Sequence, residues 1–373
     1  MFALPWTKKS VPHAVIEITR DCNLTCRACY REKHAGMRPV ADILRDVEII
    51  ERHQRVHTLS LAGGEPTLHP DLPEIVRTVK SRGHCVSLVT NALLLDDAML
   101  ACLAAAGLDI VMIHIDEGQT RPDLPDPADV AALNALRLKT AVRVTSHGIT
   151  AGLCTTLYPE SLKNLPELVN LIIGNPDINF LFATHAVAIP KLVEQLQWRA
   201  NVPASRNLDS GTANSNVIAQ MRERFGLEPY AYIPATTPTA DGELPCITYS
   251  IPVSHHTPPD YLRLRSNSAD RLLINASRLL AGRYLYYTPD RRAVNIIQIL
   301  YNGLFSRRLF RAITFLARAR RAQLRMKRLV FENAPRITPQ GTVNCCDFCP
   351  NSTVRDGKVI PVCLADHKQD LNL

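Results

Sequence analysis

Several features that would mark this 373-residue chain for export or for membrane insertion are missing. MFALPWTKKS, the stretch before the first strand-like run, has no apolar core of the length a secretory leader needs. No run of about eighteen uncharged apolar residues follows it, which argues against a spanning helix and for a cytoplasmic chain. With so few residues before the first strand, neither a leader-peptide-binding module nor a cobalamin-binding domain is expected there. Internal repeats are absent beyond an alternation of strands and helices. Acidic residues nearly vanish between 261 and 330, where Asp270 and Asp290 face sixteen Arg or Lys, a local balance of +14. With the whole chain at +8, the remainder is about −6, so the positive charge is a local device. The last absence is a ligand: DCNLTCRACY (21–30) supplies Cys22, Cys26 and Cys29 and no fourth cysteine.

What is present is an ordinary globular composition, 46% apolar and 21% charged, which excludes wholesale disorder. Eleven cysteines in a chain of this kind point to metal binding or reactive thiols and away from a disulfide framework. Cys85 opens an apolar run and Cys102 lies in MLACLAAAG, so both read as small buried hydrophobes, while Cys154 carries no assignment. Two clusters stand out, at 22, 26 and 29 and at 345, 346, 349 and 363.

From residue 13 to about 185 the chain alternates strand-like runs with amphipathic stretches, the pattern of a parallel sheet crossed by helices. The expected strands are HAVIEIT (13–19), HTLSLAG (57–63), CVSLVT (85–90), IVMIHID (110–116), AVRVTSH (141–147) and INFLFAT (178–184). Loops after the strands of such a sheet open on one side, where sites are built. That rim collects the three-cysteine loop, AGGEPTLHP (62–70), Thr90 and Asn91, His114 and Asp116, Ser146 and His147, and Thr184 and His185. Six βα units fall short of the eight that close a full barrel, so the α/β fold expected is a partial (βα)6 barrel followed by an irregular, partly helical C-terminal extension.

Three thiolates with an empty fourth place suit an iron–sulfur cluster that keeps one iron exchangeable. Zinc is the alternative, with His34 as a fourth ligand, although the close pairs typical of zinc are not repeated nearby. C-x3-C-x2-C after a first strand, followed by GGEP after a second, resembles the radical S-adenosylmethionine (radical SAM) superfamily, over residues 13 to about 185. The resemblance implies that Cys22, Cys26 and Cys29 ligate a 4Fe-4S cluster whose open iron takes S-adenosyl-L-methionine. It implies that Gly63, Gly64 and Glu65 hold the cofactor's ammonium, with Asn91, Asp116 and Arg143 as ribose or carboxylate contacts. A reductant such as flavodoxin or ferredoxin is implied as partner. The ring usual before the last cysteine is replaced by Ala28, and Tyr30 follows instead, so the adenine contact is left open between Tyr30 and backbone.

The tail GTVNCCDFCPNSTVRDGKVIPVCLAD (341–366) is a second candidate centre, with Cys346 and Cys349 in C-x2-C spacing, Cys345 adjacent, Cys363 downstream and Cys246 as a distant completion. Its TVRDGKVIPVC reads as a hairpin turning at Asp356-Gly357. The tail resembles auxiliary-cluster extensions of the same superfamily, implying a second iron–sulfur cluster; a zinc knuckle is the alternative. The expected layout is a core at 11–190, a basic helical extension at 191–335 and a metal-binding tail at 336–373, with 200–260 as an irregular connector. NGLFSRRLFRAITFLARARRAQLRMKRLVF (302–331) reads as an amphipathic helix with Phe305, Leu309, Ala312, Ile313 and Leu316 on one face. Such a helix suits peripheral contact with an anionic membrane at its inner face; nucleic acid and a plain solvated helix are the alternatives. The function expected is hydrogen abstraction from a lipid or other amphiphile. Maturation of a ribosomally made peptide is the runner-up, and a non-catalytic iron–sulfur electron-transfer or binding protein is the reading from another class.

Overall fold

A computed structural model describes residues 1–29, 36–125, 129–186, 213–236, 242–337 and 343–367. His34 and Tyr30 lie outside the described residues. The first half builds βα units from His13–Thr19 (β1), Val40–His53 (α1), Thr58–Gly63 (β2), Leu72–Ser81 (α2), Cys85–Thr90 (β3) and Asp97–Ala106 (α3). Ile110–His114 (β4), Val130–Ser146 (α4), Thr150–Leu157 (β5), Leu165–Gly174 (α5) and Ile178–His185 (β6) complete them. All six strands pair in parallel in chain order, because each of the first five is followed by a helix that recrosses the sheet. Every residue of β1 is buried, as expected of a strand covered on both faces. The helices lay Ile43, Val47 and Ile50 of α1 and Ile75, Val76 and Val79 of α2 against the sheet at helical spacing. Helix α3 starts where the Asp96 carboxylate accepts from Met99 N at 2.8 Å, a cap worth about 1 kcal/mol. It stops at Gly107, whose φ of 93° a side chain would resist.

Four expectations need correction. AVRVTSH is the last part of helix α4, not the fifth strand, which is TAGLCTTL at 150–157. Its β-branched residues favour a strand locally, but Leu133, Arg137, Thr140, Ala141 and Val144 form one buried helical face, and that packing decides. Ser146 and His147 therefore sit at a helix end away from the rim, where His147 meets Asp97 at 3.1 Å. Cys102 is exposed on α3 rather than buried. Segment 200–260 is not an irregular connector: its described part holds helix Asn214–Phe225 (α6), strand Ala231–Ile233 (β7) and the ten-residue strand Cys246–His255 (β8).

Nor is 302–331 one helix. Arg292–Phe305 (α8) follows Ser268–Ala281 (α7), turns at Arg307 with φ 57°, and gives way to Leu309–Arg318 (α9) and then strand Gln323–Glu332 (β9). The run Leu329-Val330-Phe331 belongs to β9, which lies inside the sheet between β6, its parallel neighbour, and β8, its antiparallel one. Lys327 is fully buried there, donating to the carbonyls of Asn175 and Ile178 at 2.6 and 2.7 Å. Beyond β8 the sheet continues through β7 to the short strand Phe2–Ala3. Helices α7–α9 share a second core with this half, in which Ile274, Ile299, Ala312 and Phe315 meet Leu324, Met326 and Val330.

Among the described residues no ladder joins β1 to the Phe2–Ala3 edge, so the barrel is partial. The cysteine-rich tail spans that opening. On one side Thr236 N donates to Cys345 O at 2.9 Å and Asp347 N to Pro234 O at 2.8 Å. On the other, Pro350 O meets His13 Nδ1 at 2.8 Å and Arg355 pairs with Glu17 of β1. The strands Ser352–Arg355 (β10) and Lys358–Pro361 (β11) form the hairpin expected from the sequence, with Asp356 at φ 48° and Gly357 at φ 72°.

Candidate active site

The loop after β1 is fixed by its neighbours before any ligand is considered. Thr25–Cys26 pair with Gln119–Thr120, Arg27 N donates to Gly118 O at 2.7 Å, and the Arg27 guanidinium lies 3.9 Å from the Tyr158 ring centre. Cys22 is exposed, and Cys26 and Cys29 are half-buried. All three border one interior cavity of about 290 Å³, together with Gly63, Gly64, Glu65 and Asn91.

The two glycines are required by close backbone approach. A Cβ on Gly63 would lie 2.1 Å from Thr19 O, and one on Gly64 would lie 2.1 Å from Asp21 O. Gly63 also has φ 139°, which side chains resist. The β2 loop thus lies directly on the start of the cysteine loop, with Gly64 N donating to Thr19 O and Glu65 N to Asp21 O. Glu65 is buried, and its Oε1 accepts from Thr67 N, Thr67 Oγ1 and Thr90 Oγ1 at 3.0, 2.6 and 2.6 Å. Its Oε2 accepts from Asn91 N at 2.7 Å, so this carboxylate clamps the β3 end to the β2 loop. Asn91 in turn donates to Asn23 Oδ1 at 2.7 Å, tying the β3 end to the cysteine loop.

Asp116 is buried and does not border the cavity. Burial alone pushes its carboxyl up, but hydrogen bonds from His114, Gly118 N and Thr156 N outweigh that and hold it below the usual range. It orients His114, which does border the cavity, at 2.9 Å. Arg143 lies on α4, donates to Leu95 O at 3.0 Å and is not among the residues around the cavity.

Across the cavity stand Cys345, Cys346, Cys349 and Cys363. The Cys346 thiol donates to Glu332 Oε1 at 3.2 Å, and Asn351 donates to Cys349 Sγ and to Glu332 Oε2, both at 3.3 Å. Cys246, behind the wall, meets the Cys346 thiol. Burial and the nearby Glu332 push the Cys349 and Cys363 thiols up, and Cys246 does the same for Cys346 before burial adds to it. Burial also holds the Glu332 carboxyl up. The Tyr287 hydroxyl, near these thiols, is buried without a hydrogen-bond partner among the described residues. Cys154 borders the cavity as well, its thiol pushed up to about 12 by burial.

The donor chemistry fits iron–sulfur clusters at both ends. Thiolates are the usual ligands of such clusters, and each meets a different iron, so they need not surround a single point. The paired glycines, half-buried, border the same cavity beside the first set.

Glu332, Tyr287, Arg328 and His13 also border the cavity, and sequence reasoning missed them. The apolar run before Glu332 was the available signal, hidden by reading it as helix. His13 Nδ1 carries the proton that it donates to the Pro350 carbonyl, Nε2 therefore accepts from Ser60 Oγ at 2.7 Å, and the ring stacks on Tyr287 at 4.7 Å. Burial lowers its pKa from 6.5 to about 4. The unfolded chain therefore binds a proton that the folded one refuses, and stability present above pH 6.5 is lost as the pH falls toward 4. The loss expected by pH 5 is about 2 kcal/mol. Thermal unfolding of the wild type and of His13→Gln between pH 5 and pH 7.5 measures it; a flatter profile in the variant is the expected outcome, and parallel profiles would rule His13 out as the source.

A six-stranded parallel half-barrel with a glycine cradle beside three cysteines at its carboxyl rim defines a class of fold and site. Residues 16–196, just under half of the chain, match the family model described as the radical SAM superfamily, so this segment is a radical SAM domain. It is similar to the tungsten-containing aldehyde ferredoxin oxidoreductase cofactor-modifying protein of Pyrococcus furiosus, 31% identical over 168 residues, covering 43% of this chain and 47% of that one. It is similar to the Fe-coproporphyrin III synthase of Methanosarcina barkeri, 27% identical over 207 residues, covering 52% and 49%. Among solved structures, Streptococcus suis SuiB bound to S-adenosylmethionine aligns with 18% identity and a TM-score of 0.43, covering 58% of this chain and 49% of that one. The chain spans about half the length of the curated relatives it matches.

Proposed function

We propose that this protein is a radical SAM enzyme that removes a hydrogen atom from an unactivated C–H bond of an amphiphile held between two cysteine-lined walls of one cavity. The observation that carries this is the cavity itself, bordered at one end by Cys22, Cys26, Cys29 and the Gly63-Gly64-Glu65 cradle and at the other by Cys345, Cys346, Cys349 and Cys363. When bound, a 4Fe-4S cluster with S-adenosylmethionine supplies one-electron cleavage of the sulfonium and hydrogen abstraction. Cys22, Cys26 and Cys29 would hold that cluster. The backbone of Gly63 and Gly64, which borders the cavity, would meet the ammonium, and Glu65, already clamped, holds that loop in place. The C-terminal cysteines would hold a second iron–sulfur cluster, and a flavodoxin- or ferredoxin-type protein would serve as reductant.

The chain's own residues position and enclose. Val15, Val89, Met112, Phe180, Phe182 and Val330 give the cavity apolar walls that keep water from a reactive carbon and suit an aliphatic substrate. The tail spans the open side and completes the wall. His114, oriented by Asp116, is the group placed to hold a proton at the rim.

Replacing Cys346 and Cys349 together with alanine in anaerobically reconstituted protein separates the two centres. The expected result is a loss of about four irons per chain with 5′-deoxyadenosine formation still detectable. Unchanged iron with loss of bound zinc would make the tail a zinc knuckle. For the substrate, 5′-deoxyadenosine formation should rise when total lipid extract is added; no rise with lipid would remove the amphiphile from the proposal.

A further inference from the structure

Helices α7, α8 and α9 cover the sheet with one side and leave the other unusually apolar. Of fourteen exposed large hydrophobic residues among those described, nine lie on these three helices, so the exposure is concentrated and not scattered. Leu280 is 89% and Phe310 82% exposed, joined by Leu279, Leu304, Phe305 and Ile313. The spacing is helical: Leu272 and Leu279 on α7, and Ile297 and Leu304 on α8, are seven residues apart and share a face.

The charge around them has one sign. Arg271, Arg283, Arg307, Arg311, Arg320 and Arg321 are all exposed, while the only acidic residues between 262 and 322 are Asp270, which is buried, and Asp290, which is half-buried. Exposed aliphatic side chains ringed by arginines fit one kind of occupant. A nucleic acid would satisfy the arginines and leave Leu279, Leu280 and Ile313 in water. A second copy of the same face would bury the leucines and set arginine against arginine. A surface of anionic lipid takes both, with apolar side chains in the acyl boundary and arginines among the headgroups.

We infer that the α7–α9 layer docks this protein on an anionic membrane surface. This narrows the contact expected from the sequence at 302–331: β9 drops out, because it is a buried strand, and α7 enters. The loop between α7 and α8 carries Tyr286 and Tyr287, which border the cavity, so the docking face and the cavity wall are parts of one helical layer. The docking reading does not rest on the chemistry proposed for the cavity.

The test is flotation of the anaerobically prepared holoprotein with vesicles of phosphatidylcholine alone and of phosphatidylcholine mixed equally with phosphatidylglycerol. Binding to the mixed vesicles at least about tenfold above the neutral ones is expected, and weakening by salt. Arg307→Glu/Arg311→Glu and, separately, Leu280→Glu/Phe310→Glu each lower the partition coefficient by about tenfold or more. All four positions are exposed, so circular dichroism and lipid-free 5′-deoxyadenosine formation stay at wild-type values. Absence of flotation, or equal binding to both vesicle types, overturns the inference. So does retention by RNA that the leucine and phenylalanine changes leave intact, or self-association in light scattering that those changes abolish. If docking fails while 5′-deoxyadenosine forms, the cavity's chemistry stands without it; if docking holds and no 5′-deoxyadenosine forms, the surface stands alone.

Discussion

Cys26→Ala is expected to abolish 5′-deoxyadenosine formation and to remove about four irons per chain, while leaving the fold intact. The side chain is half-buried in a loop whose shape is set by backbone pairing with Gln119–Thr120 and by the Arg27–Tyr158 contact. None of those contacts needs the thiol, so the iron-free variant should still unfold cooperatively, with a loss in stability against the iron-free wild type of no more than about 1–2 kcal/mol. The proposed chemistry has no such redundancy, because Cys22, Cys26 and Cys29 are the three cysteines of that loop and it holds no fourth to replace a lost one. Iron content, visible absorption and 5′-deoxyadenosine are the measurements. Activity surviving in Cys26→Ala would falsify the three-thiolate assignment, and the redox-active but inactive electron carrier would be favoured if the wild type itself held a cluster and formed no 5′-deoxyadenosine.

Gly64→Ala is the second large effect, acting through the backbone. The added Cβ would meet Asp21 O at 2.1 Å, Asp21 C at 2.6 Å and Arg20 O at 2.7 Å, all main-chain atoms that cannot swing aside. The β2 loop must then lift from the cysteine loop, weakening the bonds from Gly64 N to Thr19 O and from Glu65 N to Asp21 O. A cost of about 3 kcal/mol in stability and at least a tenfold loss of S-adenosylmethionine affinity are expected. Gly174→Ala, at the end of α5 with nothing within 4 Å of its Cβ, is the control and should be close to neutral. Calorimetric titration with S-adenosylmethionine and thermal melts decide it; equal behaviour of the two variants would show that the cradle is not where the cofactor rests.

Much of the first half was legible in the sequence because local pattern and global role agree there. HAVIEIT, CVSLVT and INFLFAT are strands bounded by turn residues, and the cysteine and glycine loops follow the strands that place them. AVRVTSH misled because Val142, Val144 and Thr145 favour a strand while the buried face running from Leu133 to Val144 imposes a helix. The stretch 302–331 misled in the opposite sense, since its arginines suggest solvent and only the pairing of β9 with both β6 and β8 turns its last part into a central strand. Glu332 was hidden with it. Asp116 and Arg143 show another limit: spacing puts residues near a rim, but only packing decides which way they point. The gathering of Cys246, Cys346, Cys349 and Glu332 depends on contacts between segments that are far apart in the chain, which no local pattern records.

The tail that spans the open side also sets an order of assembly during synthesis. The three-cysteine loop and the glycine cradle leave the ribosome within the first quarter of the chain, and the six parallel strands can pair before the second half exists. β9 must then enter beside β6, and residues 343–367 close the wall last. A growing chain therefore forms the three-cysteine loop while the cavity is still an open trough, and residues 343–367 narrow that trough only after the loop is in place.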